Sequence, residues 1–267
     1  MTAPRFTALV LAGRRDADDP IAAAAGRSCK VFVEVAGVPM LARVTAALEA
    51  SRSVGDIFVC IDGSASLDEV PEITAQVREG RLGRLPAGTS PSDSVLSAFD
   101  ALADRLPLLV VTADHPLLTA GMVDHFCREA AKADAAVAVA QMALVEHAYP
   151  GALRTRLRFA DGAVSGCNLF AFTTPRARRA PEAWARLERN RKRPWRLVGA
   201  FGLVPLLLYL TGRLSLAGAM ARLSRALDLE ARAIQMPFAE AAIDVDKPAD
   251  LELAEAILRD RGDLAAR

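Results

Sequence analysis

The sequence predicts an α/β fold: a mostly parallel, Rossmann-like sheet with flanking helices. Two observations point there. The first 130 residues alternate short apolar or β-branched runs with helical patterns. One of those runs, Leu108–Thr112 (LLVVT), is apolar enough to be a central strand. The chain has 267 residues, 52% of them hydrophobic, which suits one large domain, residues 1–267, with an insertion rather than two domains.

In chain order, Thr7–Ala12 reads as the first strand. Pro39 opens a helix running to about Ser51, with Leu41, Val44 and Leu48 at helical spacing. Asp56–Ile61 is a second buried strand, and Leu67–Arg78 carries a weaker helical pattern. Ser90 or Ser92 can cap a helix through Ala103 whose Val95, Phe99 and Leu102 share a face. After Leu108–Thr112, Thr119 caps the next helix. Ala135–Gln141 and Asn168–Phe172 read as strands, and Leu153–Phe159 with the Asp161-Gly162 turn suggests a hairpin between them. A helical insertion is expected at about 175–227, containing a basic helix over Arg176–Asn190 and another over Ser215–Leu227. Ala242–Val245 reads as a short strand and Ala249–Arg259 as the terminal helix.

Charge and cysteine usage exclude several classes. Lys plus Arg number 33 and Asp plus Glu 32, so no broad basic face is available for nucleic acid. Cys29, Cys60, Cys127 and Cys167 lie 31, 67 and 40 residues apart, without zinc spacing, and no signal-peptide plan opens the chain. A reduced, cytoplasmic setting is expected. Leu197–Leu210 (LVGAFGLVPLLLYL) is 14 residues without a charge, short of the roughly 20 that a membrane span needs. It follows six cationic residues and Trp195 within 186–196. It reads as a core helix or homodimer contact, and peripheral membrane contact through 186–210 is the alternative.

Three constellations carry chemistry. Leu11, Ala12 and Gly13 end the first strand beside Arg14 and Arg15, with Lys30 beyond. Backbone N–H groups at such a glycine approach phosphate closely, and the cations neutralise its charge. Asp114 leaves the carboxyl end of the central strand, where open α/β sheets bind ligands and where a hard carboxylate suits Mg²⁺. Near the C-terminus, Asp244 and Asp246 would point to the same side of a strand, while Asp250 stabilises the last helix.

Taken in order, Leu11-Ala12-Gly13, Lys30, Gly37-x-Pro39-x-Leu41, Asp114 and Asp246-x-Pro248-x-Asp250-Leu251 resemble the nucleoside-triphosphate transferase superfamily. The likeness is to its MobA-like and sugar- or alcohol-phosphate nucleotidyltransferase branches. The resemblance implies a Mg²⁺-dependent enzyme that transfers a nucleoside monophosphate to a small phosphorylated acceptor. It implies that Gly13, Arg14 and Arg15 meet the phosphates and that Lys30 acts near the α-phosphate. Arg15, Lys30 and Asp114 are then the catalytic set. Asp114 and Asp246 would share the metal, with Asp244 as the alternative ligand. Gly88, Ser92 and Ser94 would face the base or ribose, and Asn168 the acceptor. The sequence departs from the pattern where Arg14-Arg15-Asp16 follows Gly13 and where Cys29 precedes Lys30. Two other readings stay open: a glycosyltransferase of related fold, and a non-catalytic nucleotide-binding regulator.

Overall fold

The structure, a computed structural model, describes residues 5–13, 19–63, 67–190 and 203–262. The main sheet is built from β1 (Phe6–Leu11), β4 (Val54–Ile61), β5 (Leu82–Pro86), β6 (Leu108–Thr112), β7 (Ala135–Gln141), β8 (Leu157–Phe159), β9 (Gly162–Phe172) and β10 (Ala231–Gln235). A separate two-residue pair, β2 (Glu34–Val35) and β3 (Val38–Pro39), precedes the helix Met40–Glu49. The strand order is β10-β7-β9-β6-β1-β4-β5, with β8 paired to β9. Pairings among β5, β4, β1 and β6 are parallel, as is β10 with β7, whereas β9 runs antiparallel to β6, β7 and β8.

Alternation along the strands creates two cores, one on each face of the sheet. Ala8, Val10, Leu109 and Val111 point to the face covered by Leu41, Val44, Leu48, Met122, Val123 and Phe126. Leu9, Leu108 and Val110 point the other way, onto Val95, Ala98 and Phe99. The covering helices are α2 (Met40–Glu49) and α5 (Ala120–Ala130) on the first face and α4 (Pro91–Ala101) on the second. Between them in the chain come α3 (Pro71–Arg78) and, before all of these, α1 (Pro20–Ala24). Ser90 caps α4 through Asp93 N–H at 3.1 Å, and Thr119 caps α5 through Met122 N–H at 3.3 Å.

Several elements escape the sequence pattern, among them α1 and the β2–β3 pair. Strands β5 (LGRLP) and β10 (ARAIQ) are short and poor in β-branched residues, and helix α6 (Met142–Ala148) follows β7 without a turn signal. One expectation is corrected. Ala242–Val245 is not a strand: Ala239–Ala242 forms a 3-10 turn, and the segment after it joins no ladder. Ile243 and Val245 are fully buried in a third core with Ala254, Ile257 and Leu258 of the terminal helix. Burial of alternate residues in an extended loop imitates a strand's pattern. A backbone bond from Val245 N–H to Asp114 C=O (2.9 Å) holds the loop beside β6.

Between β9 and β10 the described chain is helical: α7 (Arg179–Asn190), α8 (Leu203–Leu210) and α9 (Leu216–Leu227); the last helix, α10, spans Pro248–Asp260. Trp184 of α7 stacks on Phe170 of β9, with ring centroids 5.5 Å apart. Both ends of the segment meet Asp134, whose carboxylate accepts from Thr174 Oγ1 (2.6 Å) and from Glu230 N–H (2.8 Å). Residues 191–202, with most of the basic run and the start of the apolar stretch, lie outside the described residues. At the far end of that stretch Leu207 and Leu210 are 50% and 70% exposed, so this end is not core. Among the described residues no helix is long and apolar enough to cross a membrane.

Candidate active site

Register sets the location. Leu11 of β1 pairs with Cys60 of β4 and with Thr112 of β6, so three parallel strands end together. In β9, Leu169 pairs with Val111 of β6, which puts Asn168 at the same edge. Asn168 has φ +53°, at a register shift in the ladder with β7. Asparagine tolerates this left-handed conformation better than most residues, and the irregularity re-aims its side chain.

Lys30 opens a 3-10 turn anchored by buried Val31 and Phe32. Its ammonium meets three oxygens: Asp114 Oδ2 at 2.8 Å, the Val245 carbonyl at 2.9 Å and Asp246 Oδ1 at 3.1 Å. Two segments far apart in sequence thus converge on a cation supplied by a third. Burial alone would lower the Lys30 pKa, but the charge and hydrogen bond of Asp114, joined by Asp246, outweigh it and leave the pKa raised.

Asp244 is held differently. Its Oδ1 accepts from Arg154 Nη1 at 2.6 Å and its Oδ2 from Asn168 Nδ2 at 2.7 Å. Arg154 Nη1 also donates to the Asp244 carbonyl at 3.0 Å, and Nη2 pairs with Asp250 Oδ1. The other Asp250 oxygen accepts from Asp246 N–H (3.1 Å) and Lys247 N–H (2.9 Å), closing the first turn of α10. Asp250 therefore stabilises the helix start, as its position suggests. Burial, then the negative charges of Asp114 and Asp246, raise the Asp244 pKa against the pull of Arg154. Since the segment is not a strand, the shared side expected for Asp244 and Asp246 has no ladder behind it. Lys30 engages Asp246, and Arg154 engages Asp244.

On the other flank, Gly13 passes so near β5 that an added Cβ would lie 3.1 Å from Ala87 Cβ. Ala12 is buried and Leu11 partly so, while Gly13 is exposed at the rim. Arg14 and Arg15 lie outside the described residues. A Cβ on Gly88 would come within 2.8 Å of Ser94 N, so this loop can close on α4 only as glycine. Gly88 N–H donates to Ser94 Oγ at 2.8 Å. Ser92 is buried, its hydroxyl donating to Glu188 of α7 and lying 3.0 Å from Ser90 Oγ. The Ser94 hydroxyl thus closes the turn, and the Ser92 hydroxyl ties it to α7.

The site as described gathers Lys30, Asp114, Asn168, Asp244 and Asp246, with Gly13 and Gly88 on neighbouring strand ends. Arg154 was not legible in the sequence. It sits in a segment that reads as half of a hairpin, and nothing local reveals partners 90 and 96 residues away.

Residues 8–226 match the MobA-like NTP transferase domain. The chain belongs to that family. It is accordingly an enzyme of the nucleotidyltransferase type. A comparison with curated proteins found no significant match. Among solved structures, a hypothetical transferase from Thermus thermophilus shares 30% identity and a TM-score of 0.75, over 92% of this chain and 99% of that one. A 4-diphosphocytidyl-2C-methyl-D-erythritol synthase from Anaerococcus prevotii matches with 12% identity and TM-score 0.57, over 96% of each chain. A CMP:2-keto-3-deoxy-manno-octonic acid synthetase complexed with CTP matches with 13% identity and TM-score 0.56, over 96% of this chain and 99% of that one. These two show the MobA-like protein's fold to be that of nucleotidyltransferases with a mostly parallel sheet.

Proposed function

We propose that this MobA-like protein joins the nucleoside monophosphate of a nucleoside triphosphate to a small phosphorylated acceptor, releasing pyrophosphate. The observation that carries the reading is the convergence of Asp114, Asp246 and the Val245 carbonyl on one cation, beside the Gly13 rim. Hard oxygen donors arranged around a positive charge fit Mg²⁺. Among the described residues no three His, Cys, Asp or Glu side chains form a metal cage. That also fits, because Mg²⁺ bound to nucleotides takes one or two carboxylates and completes its shell with water and phosphate.

Asp114 and Asp246 would hold the metal. Asp244, with both oxygens bound to Arg154 and Asn168, is better suited to orient the loop than to coordinate. Mg²⁺ bound there would neutralise triphosphate charge and polarise the phosphoryl group. Backbone N–H groups at Gly13, with Arg14 and Arg15, meet the phosphates, and Lys30 stabilises charge developing at the α-phosphate. The Gly88 loop borders the base and ribose, and Asn168 borders the acceptor. An acceptor phosphate oxygen attacks the α-phosphorus in line; the new P–O bond forms as the bond to the bridging oxygen of pyrophosphate breaks. No protein nucleophile is required, because a phosphate monoester is already largely ionised near neutral pH.

The test is pyrophosphate release with each of the four common triphosphates against a panel of sugar and alcohol phosphates. Release that depends on both substrates supports the reading. Nucleotide binding without turnover on any acceptor would favour a regulatory protein instead. The exposed end of α8 supports peripheral contact with a membrane face, and a homodimer is the competing outcome of its test, described below.

A further inference from the structure

Two cations stand among the carboxylates at the sheet edge, and their surroundings differ. Lys30 reaches its three oxygens on a flexible four-carbon stem and is 17% exposed. Two of those oxygens belong to Asp114 and Asp246, the carboxylates assigned above to the metal, and Asp246 itself is half-exposed. Arg154 is 5% exposed and tied to both Asp244 and Asp250. Through Asp250 it holds the backbone N–H groups of residues 246 and 247, and through Asp244 it meets Asn168. It therefore fixes the segment that presents Asp246 and the Val245 carbonyl.

A divalent ion binds carboxylate oxygen at about 2.0–2.1 Å, closer than an ammonium. Held by these two carboxylates, it would stand within a few ångströms of the Lys30 ammonium in its present position, and the two cations would repel each other strongly. We infer that Lys30 is an exchangeable counter-ion. It keeps the metal's oxygens paired until metal and triphosphate arrive together, and then moves onto the phosphates. Arg154 is the permanent cation of the same cluster, a positioning residue that does not exchange. This rests on the metal reading above and deepens it. The functional consequence is that metal binds poorly alone and well with nucleotide, so the site is assembled only when a substrate is present.

The two cations must then act with opposite sign. Simple electrostatics says that removing either positive charge from an acidic cluster should tighten metal binding. The inference says that only removal of Lys30 does. Mn²⁺ binding, read by the electron paramagnetic resonance signal of free Mn²⁺, is measured on the full chain with and without a non-hydrolysable triphosphate. Without nucleotide, Lys30→Met is expected to bind Mn²⁺ on the order of tenfold more tightly than the unaltered protein. With the triphosphate present, that advantage should disappear. Arg154→Met should bind more weakly in both conditions. Arg154→Lys, which keeps the charge but loses the fork, should also bind more weakly, and it provides the comparison if Arg154→Met does not fold.

No gain in Lys30→Met, while the unaltered protein binds Mn²⁺ with triphosphate, overturns the exchange and leaves the metal reading intact. Equal tightening by Lys30→Met and Arg154→Met overturns the division between the two cations. Failure of the unaltered protein to bind Mn²⁺ even with triphosphate overturns the metal reading, and this inference with it.

Discussion

The carboxylate cluster at the sheet edge and the helical segment between β9 and β10 treat charge and apolar surface in opposite ways. In the cluster, Lys30 and Arg154 are drawn from water and each meets several oxygens, with partners up to 216 residues away in sequence. In the helical segment, the end of an uncharged run leaves Leu207 and Leu210 in solvent. The family match, residues 8–226, takes in Lys30, Asp114, Arg154 and nearly all of the helical segment, and stops before Asp244, Asp246 and Asp250. The difference teaches that a region's polarity in sequence is a poor guide to its burial. Polar residues are the buried ones where many partners converge, and apolar ones are exposed where none is supplied.

The sharpest way to break this contrast is at Asp114. Asp114→Ala should lower pyrophosphate release by about three orders of magnitude or more, consistent with removing a group that acts in the transition state. A variant that keeps most of its rate would separate the cluster from catalysis. Next in size is Arg154→Ala, which leaves Asp244 and Asp250 without their buried cation. A loss of roughly 3–5 kcal/mol in denaturant unfolding is expected from breaking such a pair, and a loss under 1 kcal/mol would show the network to be slack.

A smaller effect is expected at the base of the helical segment. Hydrogen bonds from Glu230 N–H and then Thr174 hold the Asp134 pKa below its usual value. A lowered folded-state pKa contributes stability above the unfolded value, lost as pH falls through the folded one. Asp134→Asn should therefore be less stable by about 1–2 kcal/mol at neutral pH. The gap should close as the pH is lowered below the usual aspartate value, as read by thermal melts across that range; a constant gap would argue against the carboxylate. Smallest in stability is the paired change Leu207→Asp with Leu210→Asp, expected within about 0.5 kcal/mol of the parent because these positions are exposed. The same variant should lose co-sedimentation with anionic liposomes at physiological salt. Binding by neither protein would remove the membrane reading, and a concentration-dependent shift in mass lost in the variant would point to a homodimer.

Much of the site was legible because its parts lie at strand ends that the sequence marks clearly. The apolar run Leu108–Thr112 predicts where Asp114 emerges, and the ordered set from Gly13 to Asp250 predicts which strand ends meet. What stayed hidden depends on contact across the chain. Arg154 has no local pattern, since its role is defined by Asp244 and Asp250. The bonds of Ser92 to Glu188 and of Ser94 to Gly88 and Ser90 have no local pattern either, since one partner lies 96 residues away and the others depend on how the loop closes on α4. Ile243 and Val245 imitate a strand because alternate burial, not ladder bonding, is what the pattern records.

Asp134 holds both Thr174 and Glu230, so the helices between them leave and rejoin the sheet at nearly one point. Closing such a loop has an entropic cost that rises only with the logarithm of its length. With the two ends held there, and α7 tied to the sheet by Trp184 on Phe170 and to the Gly88 loop by Glu188 on Ser92, changes in length or surface beyond α7 hardly disturb the edge that carries Asp114. The part of the segment beyond α7 can diverge as an interchangeable cassette while the reactive edge is preserved.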